Sequence, residues 1–262
     1  MLIVSLALAL ALHAPGTPAI SGDTLRLSVG SPQVDGRVYK PHAARVRVWI
    51  GSDESRPRAV WTNVLRLGDS AGRPMMRWVT TGTSVNPRGD TIRWELRQTY
   101  DAQTLAPYHI ARTSSTGAVA ALRIDGRRVV GTRQPSREAP VEQVDFELDR
   151  PGFPASASDL VPPAVGFKEG LVIVAPFWGP AMTKSEMRVF TVLGRVDINV
   201  EGTSVNAWKV EERRESDNAL LATWYLTETS PYMVYGEVPL ADGRIQRMSE
   251  VEVPMPQAGS EP

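Results

Sequence analysis

The sequence has no cysteine among its 262 residues. That absence excludes disulfide frameworks, thiolate zinc sites, iron–sulfur clusters, cysteine nucleophiles and a lipid-modified N-terminal cysteine. Histidine is scarce as well, with only His13, His42 and His109. Net charge is lacking, since 29 basic and 29 acidic side chains cancel. A dedicated nucleic-acid binder is normally basic, so no nucleic-acid partner is expected. Helical periodicity is nearly absent: Asp159–Phe167 can start one short turn, which Pro162-Pro163 is expected to stop. Long apolar runs are missing after the first twenty residues. Gly170–Met182 comes nearest, but two prolines break it and Lys168-Glu169 precedes it, so no transmembrane helix is expected.

The N-terminus reads as an export signal. Leu2–Leu12 (LIVSLALALAL) is an apolar run of 11 residues, too short to span a bilayer. Small residues follow it, and Thr17-Pro18-Ala19 fits cleavage after Ala19. No Lys or Arg precedes Arg26, which leaves the terminal amine as the only positive charge of the segment. The expectation is a signal peptide over 1–19 and an exported protein, periplasmic or extracellular. Residues 20–253 would form a single large β domain with a possible seam at 134–163, and 254–262 a flexible tail.

Period-2 alternation dominates from residue 24 onward. Ile92, Trp94, Leu96 and Tyr100 share one face of Thr91–Tyr100, while Arg93, Glu95 and Arg97 share the other. About sixteen such runs occur, at 24–29, 44–50, 59–67, 75–81, 91–100, 107–114, 118–124, 127–133, 143–148, 171–176, 187–192, 195–201, 204–213, 220–229, 231–237 and 244–252. Turn signals such as Asp125-Gly126, Glu201-Gly202 and Asp242-Gly243 separate them. The expected class is all-β: a strongly curved antiparallel sheet or incomplete β-barrel of many short strands. Tyr100–Ile110 and Trp224–Val234 echo each other, with an aromatic first and Pro-Tyr at matching offsets. Each reads as a strand, a connection closed by proline, and an antiparallel return strand.

Few motifs carry chemistry. Gly68-Asp69-Ser70-Ala71-Gly72 matches the G-x-S-x-G of a nucleophile elbow, but Arg73-Pro74 and a strand-like run follow where a helix is required. The bland reading is a hairpin loop. No ligand spacing supports a metal site on His42 and His109, and no phosphate loop or dinucleotide fingerprint occurs, so neither metal nor cofactor is expected. Glu142, Asp145, Glu147 and Asp149 fall on one strand candidate, as a solvated face or an acidic strip. The seven tryptophans are more suggestive. Trp78, Trp94, Leu96, Tyr100, Phe177, Trp178, Trp208 and Trp224 are the candidate ligand-binding residues, as the lining of a concave apolar cavity. Core packing would place such residues equally well.

D-x-x-T-L-x-P (Asp101, Thr104, Leu105, Pro107) and the later W-x6-P (Trp224, Pro231) with Asp242-Gly243 resemble patterns of exported bacterial β-rich domains of unknown function. More distantly, the chain resembles the LolA/LolB-like periplasmic lipoprotein-carrier superfamily. That resemblance implies an incomplete barrel whose concave side can hold acyl chains. The carriers lid that concavity with helices, which this chain largely lacks, and the anchored members need a lipidated cysteine, which it lacks entirely.

The leading expectation is a non-enzymatic envelope protein that binds an apolar or lipid-like molecule, or another envelope protein, on the concave face. The alternatives are an exported serine hydrolase using Ser70 and an outer-membrane β-barrel. The neutral total conceals an asymmetry. Residues 1–133 carry 18 basic and 9 acidic groups, a balance of +9, and residues 134–262 carry 11 and 20, a balance of −9. Either the two halves face each other within one sheet, the favoured reading, or the basic half meets an anionic partner.

Overall fold

The computed structural model describes residues 23–257, apart from 87, 180, 181 and 183. The expected signal segment and the last five residues lie outside the described residues. The N-terminal half contributes β1 (Thr24–Arg26), β2 (His42–Ile50), β3 (Ala59–Ser70), β4 (Arg73–Val85), β5 (Thr91–Asp101), β6 (Pro107–Ser114), β7 (Val119–Asp125) and β8 (Arg128–Gln134). Next come β9 (Glu142–Glu147), β10 (Phe153–Pro154), a 3-10 segment (Ala155–Leu160) and the short helix α1 (Val161–Val165). The chain ends with β11 (Val172–Trp178), β12 (Glu186–Val200), β13 (Thr203–Arg214), β14 (Leu220–Leu226), β15 (Met233–Pro239) and β16 (Ile245–Val253).

All sixteen strands belong to one strongly curved, unclosed sheet, so the class is all-β as the alternation implies. Two antiparallel meanders, β2–β9 and β11–β16, join edge to edge where β16 pairs with β2, from Gln246 opposite Ile50 to Val253 opposite Ala43. Only the short strands β1 and β10 pair in parallel, both with β11. The ends of the sheet approach each other. Trp178 at the end of β11 packs with Ile110, Leu122, Val129, Val144 and Leu148 from the β6–β9 side. Its indole N–H donates to the Gly152 carbonyl at 3.0 Å.

Two details differ from the sequence pattern. The runs 187–192 and 195–201 form one strand, β12, broken in register by a bulge between Val192 and Gly194. Pro162 and Pro163 do not stop a helix; they stand in the first turn of α1. The N–H groups of a first turn have no intrahelical acceptor, so two prolines cost no hydrogen bond there. The expected seam proves to be two connections. Residues 135–141 join β8 to β9, and residues 148–171 carry the chain back from β9 to β11.

That return passes along the concave side, where Ala157, Leu160, Val161 and Ala164 enter the main core beside Leu65, Met76, Phe190 and Leu226. It is held by two bonds to its backbone and one to a side chain. The Tyr39 hydroxyl donates to the Leu160 carbonyl, the Asp35 N–H to the Ala164 carbonyl at 2.8 Å, and the Gln98 amide to Ser156 Oγ at 2.8 Å. The convex side has its own small cluster. The tip of the β12–β13 hairpin folds over it, burying Val200, Ala207 and Val234. Glu201 at that tip pairs with Arg45 at 2.9 Å and Arg47 at 3.5 Å, and accepts from Ser249 Oγ at 3.1 Å.

No helix among the described residues is long and apolar enough to cross a membrane. The large apolar side chains exposed among the described residues are Leu67, Val119, Val141, Leu193 and Met255, which stand on separate strands and loops.

Two strand glycines make room for aromatic rings on the concave face. Gly82 lies in one row between Trp61 and Trp94, and Gly236 in another between Trp224 and Met248. A Cβ on Gly236 would stand 2.9 Å from Trp224 Cζ3 and 3.0 Å from Met248 Cγ. Gly236→Ala should therefore displace the indole and cost about 1–3 kcal/mol, as overpacking does. Urea unfolding followed by tryptophan fluorescence checks this, and an unchanged midpoint would mean that the row is loosely packed.

Candidate functional site

The aromatic rows and the returning segment line a half-open cavity of about 230 Å³ on the concave face. Alternation along β3, β4 and β5 turns Trp61, Asn63, Trp78, Thr80, Trp94, Leu96 and Gln98 inward onto it. Trp224 of β14, Met233 of β15 and Met248 of β16 form the opposite wall, and Ser156, Asp159 and Leu160 complete it from the returning segment. The rings of Trp61 and Trp94 meet edge to face over Gly82, with centroids 5.6 Å apart. Four indoles thus converge on one small space, with Leu96, Leu160, Met233 and Met248 extending the apolar lining and Asn63, Thr80, Gln98, Ser156 and Asp159 forming a polar strip.

The polar wall is a chain of hydrogen bonds that ends on an acid. Thr80 Oγ1 donates to Asn63 Oδ1 at 2.8 Å, and Asn63 Nδ2 donates to Glu250 Oε1 at 3.0 Å. Burial pushes the Glu250 carboxyl up to about 8, and the nearby Asp159 adds to the shift while the Asn63 bond opposes it. Burial likewise pushes Asp159 up to about 7, opposed by its own backbone N–H and reinforced by Glu212. Asp159 accepts no hydrogen bond from any other described residue. Glu212 is the contrasting case. Its two oxygens accept from Arg188 at 2.6 Å and from the Trp224 indole at 2.7 Å, so it is a paired, fully bonded buried acid.

Burial and the field of Asp159 also raise the hydroxyls of Tyr39 and Tyr100 well above the usual range. The Tyr100 hydroxyl is buried without a partner. His42 lies against Trp78 and Tyr232, with ring centroids 5.8 and 5.4 Å away, and burial lowers its pKa.

Of the eight candidate residues, Trp78, Trp94, Leu96 and Trp224 line this cavity together. Tyr100 is packed deeper in the same core, within the field of Asp159. Phe177 packs between Phe153 and Phe190 with Arg188 over its ring at 5.0 Å, and Trp178 joins the two ends of the sheet. Trp208 stands apart, stacked on Phe167 at 5.5 Å and covered by Arg195 at 4.7 Å. Trp61 was legible as an inward residue of the 59–67 run. The carboxylates were not, because alternation in Glu250-Val251-Glu252-Val253 directs the acids to solvent.

The other motifs have structural roles. Ser70 is exposed next to the two-residue Ala71-Gly72 turn between β3 and β4, where Gly72 N–H donates to Asp69 Oδ1 at 2.9 Å and no helix follows. Glu142 and Asp145 of the acidic strand pair with Arg133 at 2.6 Å and Arg128 at 3.1 Å, and Glu147 pairs with Arg127. Asp101 Oδ1 accepts from the Gln103 and Thr104 N–H groups at 2.9 Å each, so D-x-x-T-L-x-P is a side-chain-capped turn. Among the described residues no group of three or more His, Asp or Glu side chains is arranged to hold a metal ion.

No family model matches the sequence. A search of curated proteins gives no match. Among solved structures, the chain is similar to a beta-barrel-like protein of a domain of unknown function, DUF1849, from Brucella abortus. The two share 10% identity at a TM-score of 0.47, over 80% of this chain and 95% of the other.

Glu250, buried, and Asp159, half-buried, set a pH dependence of stability. Both carboxyls have folded pKa values above their unfolded ones, so the native state holds protons that the unfolded chain gives up. Their stabilising contribution is complete below about pH 4 and is lost as pH rises through about 7 and 8. Asp159→Asn and Glu250→Gln should each raise the urea midpoint more at about pH 8.5 than at about pH 5, because only the higher pH lies above both folded pKa values. Equal effects at both pH values would show that these carboxyls are ionised in the native protein.

Proposed function

We propose that this chain is an exported, non-enzymatic binding protein whose concave cavity holds a small ligand with an apolar body. The observation that carries the reading is the convergence of four tryptophans from β3, β4, β5 and β14 on one cavity with a short polar wall. Few, well-placed polar groups on an otherwise aromatic lining are the usual composition of a small-molecule site. Export is supported by the N-terminal Leu2–Leu12 run and the Thr17-Pro18-Ala19 site.

Cavity size narrows the ligand. At 230 Å³ the space is smaller than the roughly 300–1,000 Å³ of a drug-sized pocket. Residues 155–165 occupy much of the concavity that a lipoprotein carrier would offer an acyl chain. Our reading is therefore a compact ligand or headgroup, with a longer chain admitted only when that segment moves out.

Calorimetric titration with a panel of branched short-chain alcohols tests the site. At least one should bind, and Leu96→Trp, which fills the cavity from β5, should weaken it at least tenfold. Absence of binding by the whole panel and by the ligand tested below, or binding unaffected by Leu96→Trp, overturns the reading. For export, the protein recovered from an envelope fraction should begin at Ile20; an intact Met1 would overturn that part.

A further inference from the structure

Resting on the reading of the concave cavity as a ligand site, we propose that its ligand carries an alkylated ammonium group. Indole faces of Trp61, Trp94 and Trp224 would hold the group, and Asp159 would be its counter-charge. Tryptophan faces attract a cation within about 6 Å of the ring, and cages of several rings suit quaternary ammonium groups. The lining has four indoles and no Lys or Arg. The nearby Arg188 is already committed to Glu212 at 2.6 Å and Glu186 at 3.0 Å.

The acid on the wall selects for charge. Asp159 lines the cavity half-buried and accepts from no other described residue, and the Tyr100 hydroxyl in the same core is buried without a partner. A neutral apolar ligand seated there would strip water from that carboxyl and leave it unanswered, which is costly, whereas a cation supplies what the site lacks. An alkylated ammonium is favoured over a bare metal ion, because Asp159 is the one carboxylate on a lining made largely of indoles, too few charged oxygens to replace a hydration shell. It is favoured over a primary ammonium, whose three N–H groups would each need an acceptor.

Binding a cation should expel a proton. Burial, reinforced by Glu212 and opposed by its own backbone N–H, pushes Asp159 up to about 7, so it is partly protonated at neutral pH. Glu212 is itself paired with Arg188, and the other titratable groups facing Asp159, which its charge raises in turn, are Glu250, Tyr39 and Tyr100. The ligand replaces that proton, which passes to solvent. Affinity should fall about tenfold per unit below pH 7 and level off above it.

The test is calorimetry with choline and with its neutral tert-butyl isostere, in buffers of different ionisation enthalpy. Choline should bind at least tenfold tighter than the isostere and release a proton. Asp159→Asn should abolish both the preference and the pH slope. Trp94→Leu, at a half-buried position that keeps its apolar bulk, should weaken choline several-fold and leave the isostere unchanged, even where the Asp159 variant fails to fold. Equal binding of the two probes overturns the charge inference while leaving the cavity reading standing. If neither probe nor any of the alcohols binds, both fall. Choline binding unchanged in Trp94→Leu overturns the aromatic cage.

Discussion

The structure depends on keeping a stretch of backbone inside the curve of the sheet. A sheet of this many strands curls with a radius too wide for its own side chains to fill. Residues 155–165 supply the missing volume. Backbone placed there brings N–H and C=O groups that cannot be left unpaired. The Tyr39 hydroxyl, the Asp35 N–H and the Gln98 amide each meet one of its polar groups. Of the buried polar residues on this face, Gln98 reaches the segment through Ser156 Oγ, while Asn63 and Thr80 are satisfied by each other and by Glu250.

The strands were legible in the sequence because each has one face in the core and one in water, and period 2 is the direct record of that division. The hairpin at Ala71-Gly72 was legible for a similar reason: its residues adopt the left-handed conformation that such turns require. Legibility failed where the local pattern and the tertiary environment disagree. Glu250 lies on the buried side of its strand while Val251 is covered on the convex side by the β12–β13 tip. Pro162-Pro163 looked like a stop because proline ends helices from within, yet these two stand at the start of one. Tryptophan content pointed to the cavity, but could not separate Trp224, which lines it, from Trp178, which joins the sheet ends.

The opposed charges of the two halves meet across the fold in several places. Arg26 pairs with Glu215, Arg45 and Arg47 with Glu201, Arg128 with Asp145, and Arg133 with Glu142. Each joins a basic group of the first half to an acid of the second. Most are partly exposed, and such pairs contribute only about 0–1 kcal/mol each. Their use is in register and placement. Glu201 is the clearest example, fixing the hairpin tip over β2 and β16.

The pairing of β1 with β11 also bears on the order in which the chain can organise itself. Thr24 finds its strand partner only at Val172. Contacts so distant in sequence form late, after the loops between them have closed. The two meanders can each zip locally, hairpin by hairpin, whereas the seam between β16 and β2 joins residues still further apart, from Ile50 with Gln246 to Ala43 with Val253. Closing the sheet is therefore a step separate from building either half of it, and β1 can join only after β11 is in place.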